Sequence, residues 1–215
     1  MKKILLLYVI VALIAIIITI GFLTTTRFAM VIEYSDYQQT YKETLIENAS
    51  LKEYADGSKD LRDYFDEYAD ALMMFGSSMD GSMFSNISAA FSIARIISIF
   101  IGLDLLMAVI VTVAVFVVFL LSIILPKNGE LYQKWLTPFD NGSKLFQGFF
   151  GLYAGALIAA AAAVHIPQWF MSFTMGENVV VRVVYTNGIN YIWGALMIGV
   201  LMLVAKVIAK RLEKN

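Results

Sequence analysis

The chain has no cysteine, one histidine and three prolines in 215 residues. Without thiols there is no disulfide, no thiolate nucleophile, no iron–sulfur cluster and no cysteine-based zinc site. A single histidine, His165, excludes haem bis-ligation within the chain and the His-Glu-x-x-His pattern of zinc hydrolases. A metal would have to rest on oxygen ligands or on His165 alone, and no cofactor is expected. Charge is scarce too: charged residues make up 15% of the chain and their sum is −1, which gives no field to recruit nucleic acid or steer a charged ligand. P-loop, GxGxxG, GxSxG and kinase signatures are missing, so nucleotide hydrolysis and acyl transfer have no motif to stand on. The expectation is a protein without catalytic residues of its own.

What the chain has in excess is apolar side chains. Hydrophobic residues make up 60% of it and the mean hydropathy is +0.74, values that suit a membrane protein. Residues 4–23, 105–125, 148–164 and 189–205 carry no formal charge. Each approaches the roughly 20 apolar residues that cross a hydrocarbon core of about 30 Å. The first stretch follows Met1-Lys2-Lys3 and precedes "TTTRF", with no small-residue cleavage site, and so reads as an uncleaved anchor over residues 1–23. The fold class expected is an all-α integral membrane protein with four transmembrane helices.

Basic residues orient these spans. Lys2 and Lys3 precede the first; Lys127, Lys134 and Lys144 separate the second from the third; Lys206, Lys210, Arg211 and Lys214 follow the fourth. The positive-inside rule then makes both termini and the 126–147 loop cytoplasmic, in a cell (inner) membrane. The spans lie within residues 95–125, 148–164 and 189–208, ahead of a short 209–215 tail. Residues 24–94 fall outside, with five basic and twelve acidic residues. Tyr34, Tyr37, Tyr41, Leu45 and Asn48 recur at helical spacing, as do Leu61, Tyr64, Phe65, Tyr68, Leu72 and Phe75. "ADGS", residues 55–58, is turn chemistry with Ser58 as an N-cap, and "GSSMDGS", residues 76–82, is a second break. Residues 84–125 contain no helix breaker and would run about 60 Å as a helix, twice the hydrocarbon thickness. These features predict a small extracytoplasmic bundle made from extensions of helices 1 and 2 with the 59–75 helix packed between them. The tyrosines serve as its core and rim, with a ligand-binding aromatic surface as the alternative.

Few residues carry candidate chemistry. Asp104 sits in "ISIFIGLDLLMAVIV", and an acid in a membrane helix is a functional hypothesis by default. Because 105–125 already fills a span, the competing reading places it at the outer headgroup level. Arg95, nine residues earlier and about 13 Å along a helix, is off the i, i+4 face and is not its automatic partner. His165 follows an alanine tract and precedes Pro167, which is expected to end the helix, with Trp169, Phe170 and Phe173 as an aromatic belt. It reads as a boundary residue, with pH sensing or a shared ligand site as the alternative.

Contact surfaces are easier to nominate. Gly148, Gly151, Gly155 and Ala159, with Ala162 or Ala163, line one face of the third span, and Ala195 and Gly199 offer a counterpart on the fourth; the face reads as packing of these two helices on each other, with contact to another chain as the alternative. The outer loop, residues 165–188, contains Glu177 and Arg182, and Arg182 is suited to pair with the acidic 24–94 segment. Residues 179–185 have strand propensity and Asn187-Gly188 is a turn signal; a short strand and a helical extension of the fourth span are both open. In the 126–147 loop, Leu131, Trp135 and Leu136 fit a short amphipathic helix that rests on the membrane or docks on a cytosolic partner. The reading that follows is a non-catalytic subunit that assembles with, or regulates, a larger membrane complex through the outer domain and the small-residue face. Its partners are the bilayer and other membrane subunits or copies of itself. The alternative is a transport or channel component with Asp104, and His165 with it, lining a polar path. A third class is a membrane enzyme, which needs Asp104, His165, Glu177 and Arg182 to converge on one cavity.

Overall fold

A computed structural model describes residues 2–36, 39–56, 81–125, 129–131, 142–175 and 177–214. The chain is mostly helical: α1 is Lys2–Thr25, α2 Leu51–Asp56, α3 Gly81–Ile124, α4 Gly142–Thr174 and α5 Tyr191–Lys214. Three strands accompany them, β1 Arg27–Asp36, β2 Gln39–Ser50 and β3 Val179–Tyr185. Four helical stretches are long and apolar enough to cross a membrane: Lys3–Thr25, Ala89–Ile124, Gly151–Thr174 and Tyr191–Leu212. The chain divides into two compact units. One comprises Met1–Phe22, Ile101–Ile158 and Tyr191–Asn215; the other comprises Leu23–Phe100 and Ala159–Asn190.

The first unit is helical. α3 is apolar all round, as a rod facing lipid must be, yet its buried residues form a narrow seam: Ile101, Ala108, Val115 and Ser122 recur every seven positions. That period is the signature of helices packed at a shallow left-handed crossing. α4 buries Tyr153, Ala156 and Leu157 in this unit, and α5 buries Tyr191, Ile198 and Ala205. Leu106, Val113, Leu196 and Val200 are exposed, the disposition that hydrocarbon favours.

The second unit is built around an antiparallel sheet of order β2-β1-β3. The helix expected over 34–48 is instead a hairpin, and α1 stops at Thr25 without extending further. The physical reason is a competing period: Phe28, Met30 and Ile32 alternate and are all buried, which is the repeat of a half-buried strand. Two register shifts, between Phe28 and Met30 and between Met30 and Val31, give β2 its extra residues. Asn48 lies there at φ 48°, a left-handed conformation that asparagine tolerates. β3 supplies the third strand, pairing Phe28 with Tyr185, Met30 with Val183 and Ile32 with Val181. Of the two readings for 179–185, the strand is the one adopted.

α2 opens with a capping box. The Ser50 amide donates to Glu53 Oε2 at 2.7 Å, and the Glu53 amide donates to Ser50 Oγ at 3.3 Å. This helix carries Tyr54 against Phe28 at 5.3 Å and Phe91 of α3 at 5.2 Å, closing the apolar side of the sheet. α2 occupies Ala55 and Asp56, the start of the expected turn; the rest of that turn, Ser58, the 59–75 helix and the 76–80 break lie outside the described residues. So do Trp135 and Leu136. α3 begins at Gly81 and runs 44 residues, so the surplus length read for the second span is a continuous helix.

Candidate functional site

α4 does not end at Pro167. It continues to Thr174 with Pro167 inside and buried. Proline in a helix interior removes one hydrogen bond and costs about 3 kcal/mol. Packing on the sheet offsets that cost, because Met171 is fully buried and two polar residues beyond the proline are bonded to β3. Continuing the helix puts His165, Gln168 and Ser172, at i, i+3 and i+7, on one stripe.

That stripe lies along the free edge of β3. Ser172 Oγ accepts the Val181 amide at 3.2 Å, and Gln168 Nε2 donates to the Val181 carbonyl at 2.8 Å. Ser172 Oγ also lies 3.4 Å from that carbonyl. An edge strand whose amide and carbonyl would otherwise be open is thereby capped by side chains. One turn back, His165 Nδ1 is 3.3 Å from Gln168 Oε1, and its Nε2 is 3.1 Å from the Tyr185 hydroxyl. Seven helical residues rise about 10 Å and four strand residues about 13 Å, so one stripe reaches both Val181 and Tyr185. Burial pushes the Tyr185 phenol up to about 12, so it is a neutral donor.

The opposite face of the sheet holds the charges. Glu33 Oε2 lies 3.2 Å from Arg182 Nε, and its Oε1 lies 3.4 Å from Lys42 Nζ, joining all three strands. Arg182 thus meets an acid of the 24–94 segment. Glu177 is exposed in the turn before β3. Strand alternation puts Arg182 on the side away from Tyr185, so Arg182 and His165 do not converge. Where β2 ends, Arg27 Nη1 donates to the Asn48 carbonyl at 3.0 Å and lies 3.6 Å from Glu53.

In the helical unit, Asp104 is half-buried on α3 and faces Gly155 of α4: a Cβ placed on that glycine would lie 3.4 Å from Asp104 Oδ2. Among the described residues neither Asp104 nor the exposed Arg95 makes an ion pair. Further along the same α3–α4 seam, Thr112 Oγ1 and the Tyr153 hydroxyl are 2.6 Å apart, and Thr112 Oγ1 donates to the Ala108 carbonyl at 2.8 Å. This polar link went unread because neither residue is remarkable in a sequence of apolar spans.

The glycines divide. On α4, Gly155 is half-buried and turned to Asp104 of α3, so it belongs to a contact within the molecule. Gly151 is exposed and, like Gly199 on α5, would present a Cβ to open space. Ala159 and Ala195 are half-buried, and Gly148 lies in the first turns of α4. The close contact on α5 falls at Gly194, where a Cβ would meet Phe22 Cγ at 2.8 Å and Leu157 Cδ1 at 2.9 Å. Among the described residues no three His, Asp or Glu side chains gather as a metal site. Comparison with family models, curated proteins and solved structures finds no match for this chain.

Proposed function

We propose that this chain is a non-catalytic integral membrane subunit that assembles with, or regulates, a larger membrane complex. Its orientation puts both termini and the 126–147 segment on the cytoplasmic side of the cell (inner) membrane, and the sheet-bearing unit outside.

The observation that carries this reading is the contrast among the glycines. Gly194 is filled from within the molecule, whereas Gly151 and Gly199 border open space. Glycine costs a helix about 1 kcal/mol relative to alanine, and in lipid the usual compensation is close approach of a second backbone. A neighbouring chain on the Gly151 face of α4 supplies it. Chemical crosslinking in native membranes followed by mild-detergent isolation tests this. A stable assembly larger than the 24.0 kDa chain is expected, weakened by Gly151→Leu. Recovery of a monodisperse single chain with no crosslinked neighbour would sink the reading.

A second reading has its own observation. Asp104 against Gly155, with Thr112 and Tyr153 further along the same seam, marks a polar thread between two apolar helices. If that thread conducts ions or protons, Asp104→Asn abolishes flux in proteoliposomes. Flux that is unchanged, or absent from the unaltered protein, ends this alternative.

A further inference from the structure

The groups around His165 fix which of its nitrogens carries the proton. Gln168 gives its Nε2 hydrogens to the Val181 carbonyl at 2.8 Å, which turns its Oε1 toward the imidazole. An amide oxygen only accepts, so Nδ1, 3.3 Å away, holds the hydrogen. Nε2 is then bare and accepts the Tyr185 O–H at 3.1 Å. The direction of donation runs from Tyr185 to His165 to Gln168 to the Val181 carbonyl, and its first step, from the Tyr185 hydroxyl to Nε2, requires a neutral ring.

We propose that His165 is a proton-operated latch: neutral, it fastens β3 to α4 through Tyr185 and Gln168, and protonated, it releases the Tyr185 end. A proton taken up at Nε2 puts a donor where the Tyr185 hydroxyl now donates, and the phenol must turn its own hydrogen elsewhere. The new charge also sits in a half-buried place beside the buried Val164 and near the apolar side of the sheet.

Among the described residues no charged group is paired with the ring. Glu33, Lys42 and Arg182 are engaged with one another on the other side of the sheet. Glu53 of α2 is engaged with Ser50 and Arg27. Tyr54 of α2 packs on Phe28 and Phe91, and Arg95 of α3 is exposed. The latch is closed while the ring is neutral and opens when acidification puts a proton on it.

Because His165 is the chain's single histidine, ¹⁵N-histidine labelling reports on it alone. In the full chain in lipid nanodiscs, the neutral ring at pH 8 is expected to show the Nδ1–H tautomer. Amide exchange over residues 179–185, corrected for the intrinsic effect of pH, is expected to lose about fivefold protection at pH 5, the size of one hydrogen bond. His165→Gln, which cannot titrate, is expected to remove the pH dependence while circular dichroism reports unchanged helix content. An Nε2–H tautomer at pH 8, equal protection at both pH values in the unaltered chain, or the same pH-dependent loss in a folded His165→Gln protein overturns the proposal. If His165→Gln does not fold, the tautomer and exchange of the unaltered chain decide.

Discussion

Single side chains here act through the space around them. Gly194 is the clearest case, since an added Cβ would press on the ring root of Phe22 and on the terminal methyl of the fully buried Leu157. Gly194→Ala is expected to destabilise the helical unit by about 1–3 kcal/mol, the usual cost of overpacking. Thermal loss of helicity in detergent measures it, with Gly151→Ala as the control that does not destabilise. Tyr54 makes the opposite prediction. Its hydroxyl is buried with no hydrogen-bond partner among the described residues, and burial pushes its pKa up. Tyr54→Phe keeps the ring contacts with Phe28 and Phe91 and removes the unsatisfied group, so stability is expected to rise by about 1 kcal/mol. A measured loss would mean that the hydroxyl has a partner in solution. The partners of His165 were not legible, because Gln168 and Ser172 join its stripe only when the helix is carried through Pro167.

Elements succeed or fail by which repeat governs them. Tyr34, Tyr37, Tyr41 and Leu45 fit a helix, yet Phe28, Met30 and Ile32 fit a strand, and pairing with β3 decides between them. The capping box at the head of α2 is written in the sequence as Ser50-Leu51-Lys52-Glu53, a Ser-x-x-Glu signature. Its chemistry makes a pH prediction. Hydrogen bonds from the Ser50 amide and side chain hold the Glu53 carboxyl below its ordinary range, with Arg27 adding to the effect. A depressed folded-state pKa stabilises above the unfolded value, near 4.5, and that contribution is lost as pH falls through the folded value. The exchange protection of α2 amides is therefore expected to hold at pH 6 and decline below pH 4.5. In Ser50→Ala, which loses about 1 kcal/mol of capping at all pH values, this decline is reduced.

At the scale of the whole molecule the absence of cysteine is an experimental asset. Lys42→Cys, on the exposed side of the sheet, and Lys210→Cys, near the end of α5, each introduce one thiol into a chain that has none. With the orientation proposed above, a membrane-impermeant maleimide labels the first in intact cells and the second only after permeabilisation. The reverse pattern inverts the topology.

The four apolar rods were determined by the sequence alone, because transfer into hydrocarbon is a sum over neighbouring residues and needs no knowledge of what packs where. The long α3 was legible for the same reason, since nothing local interrupts it. Only the tertiary structure decided the sheet. β1 is a strand because β3, from the other end of the chain, pairs with it, and β3's own edge is satisfied because α4 passes alongside. Backbone hydrogen bonds between distant segments, and the side chains that cap them, leave no periodic trace in either segment by itself.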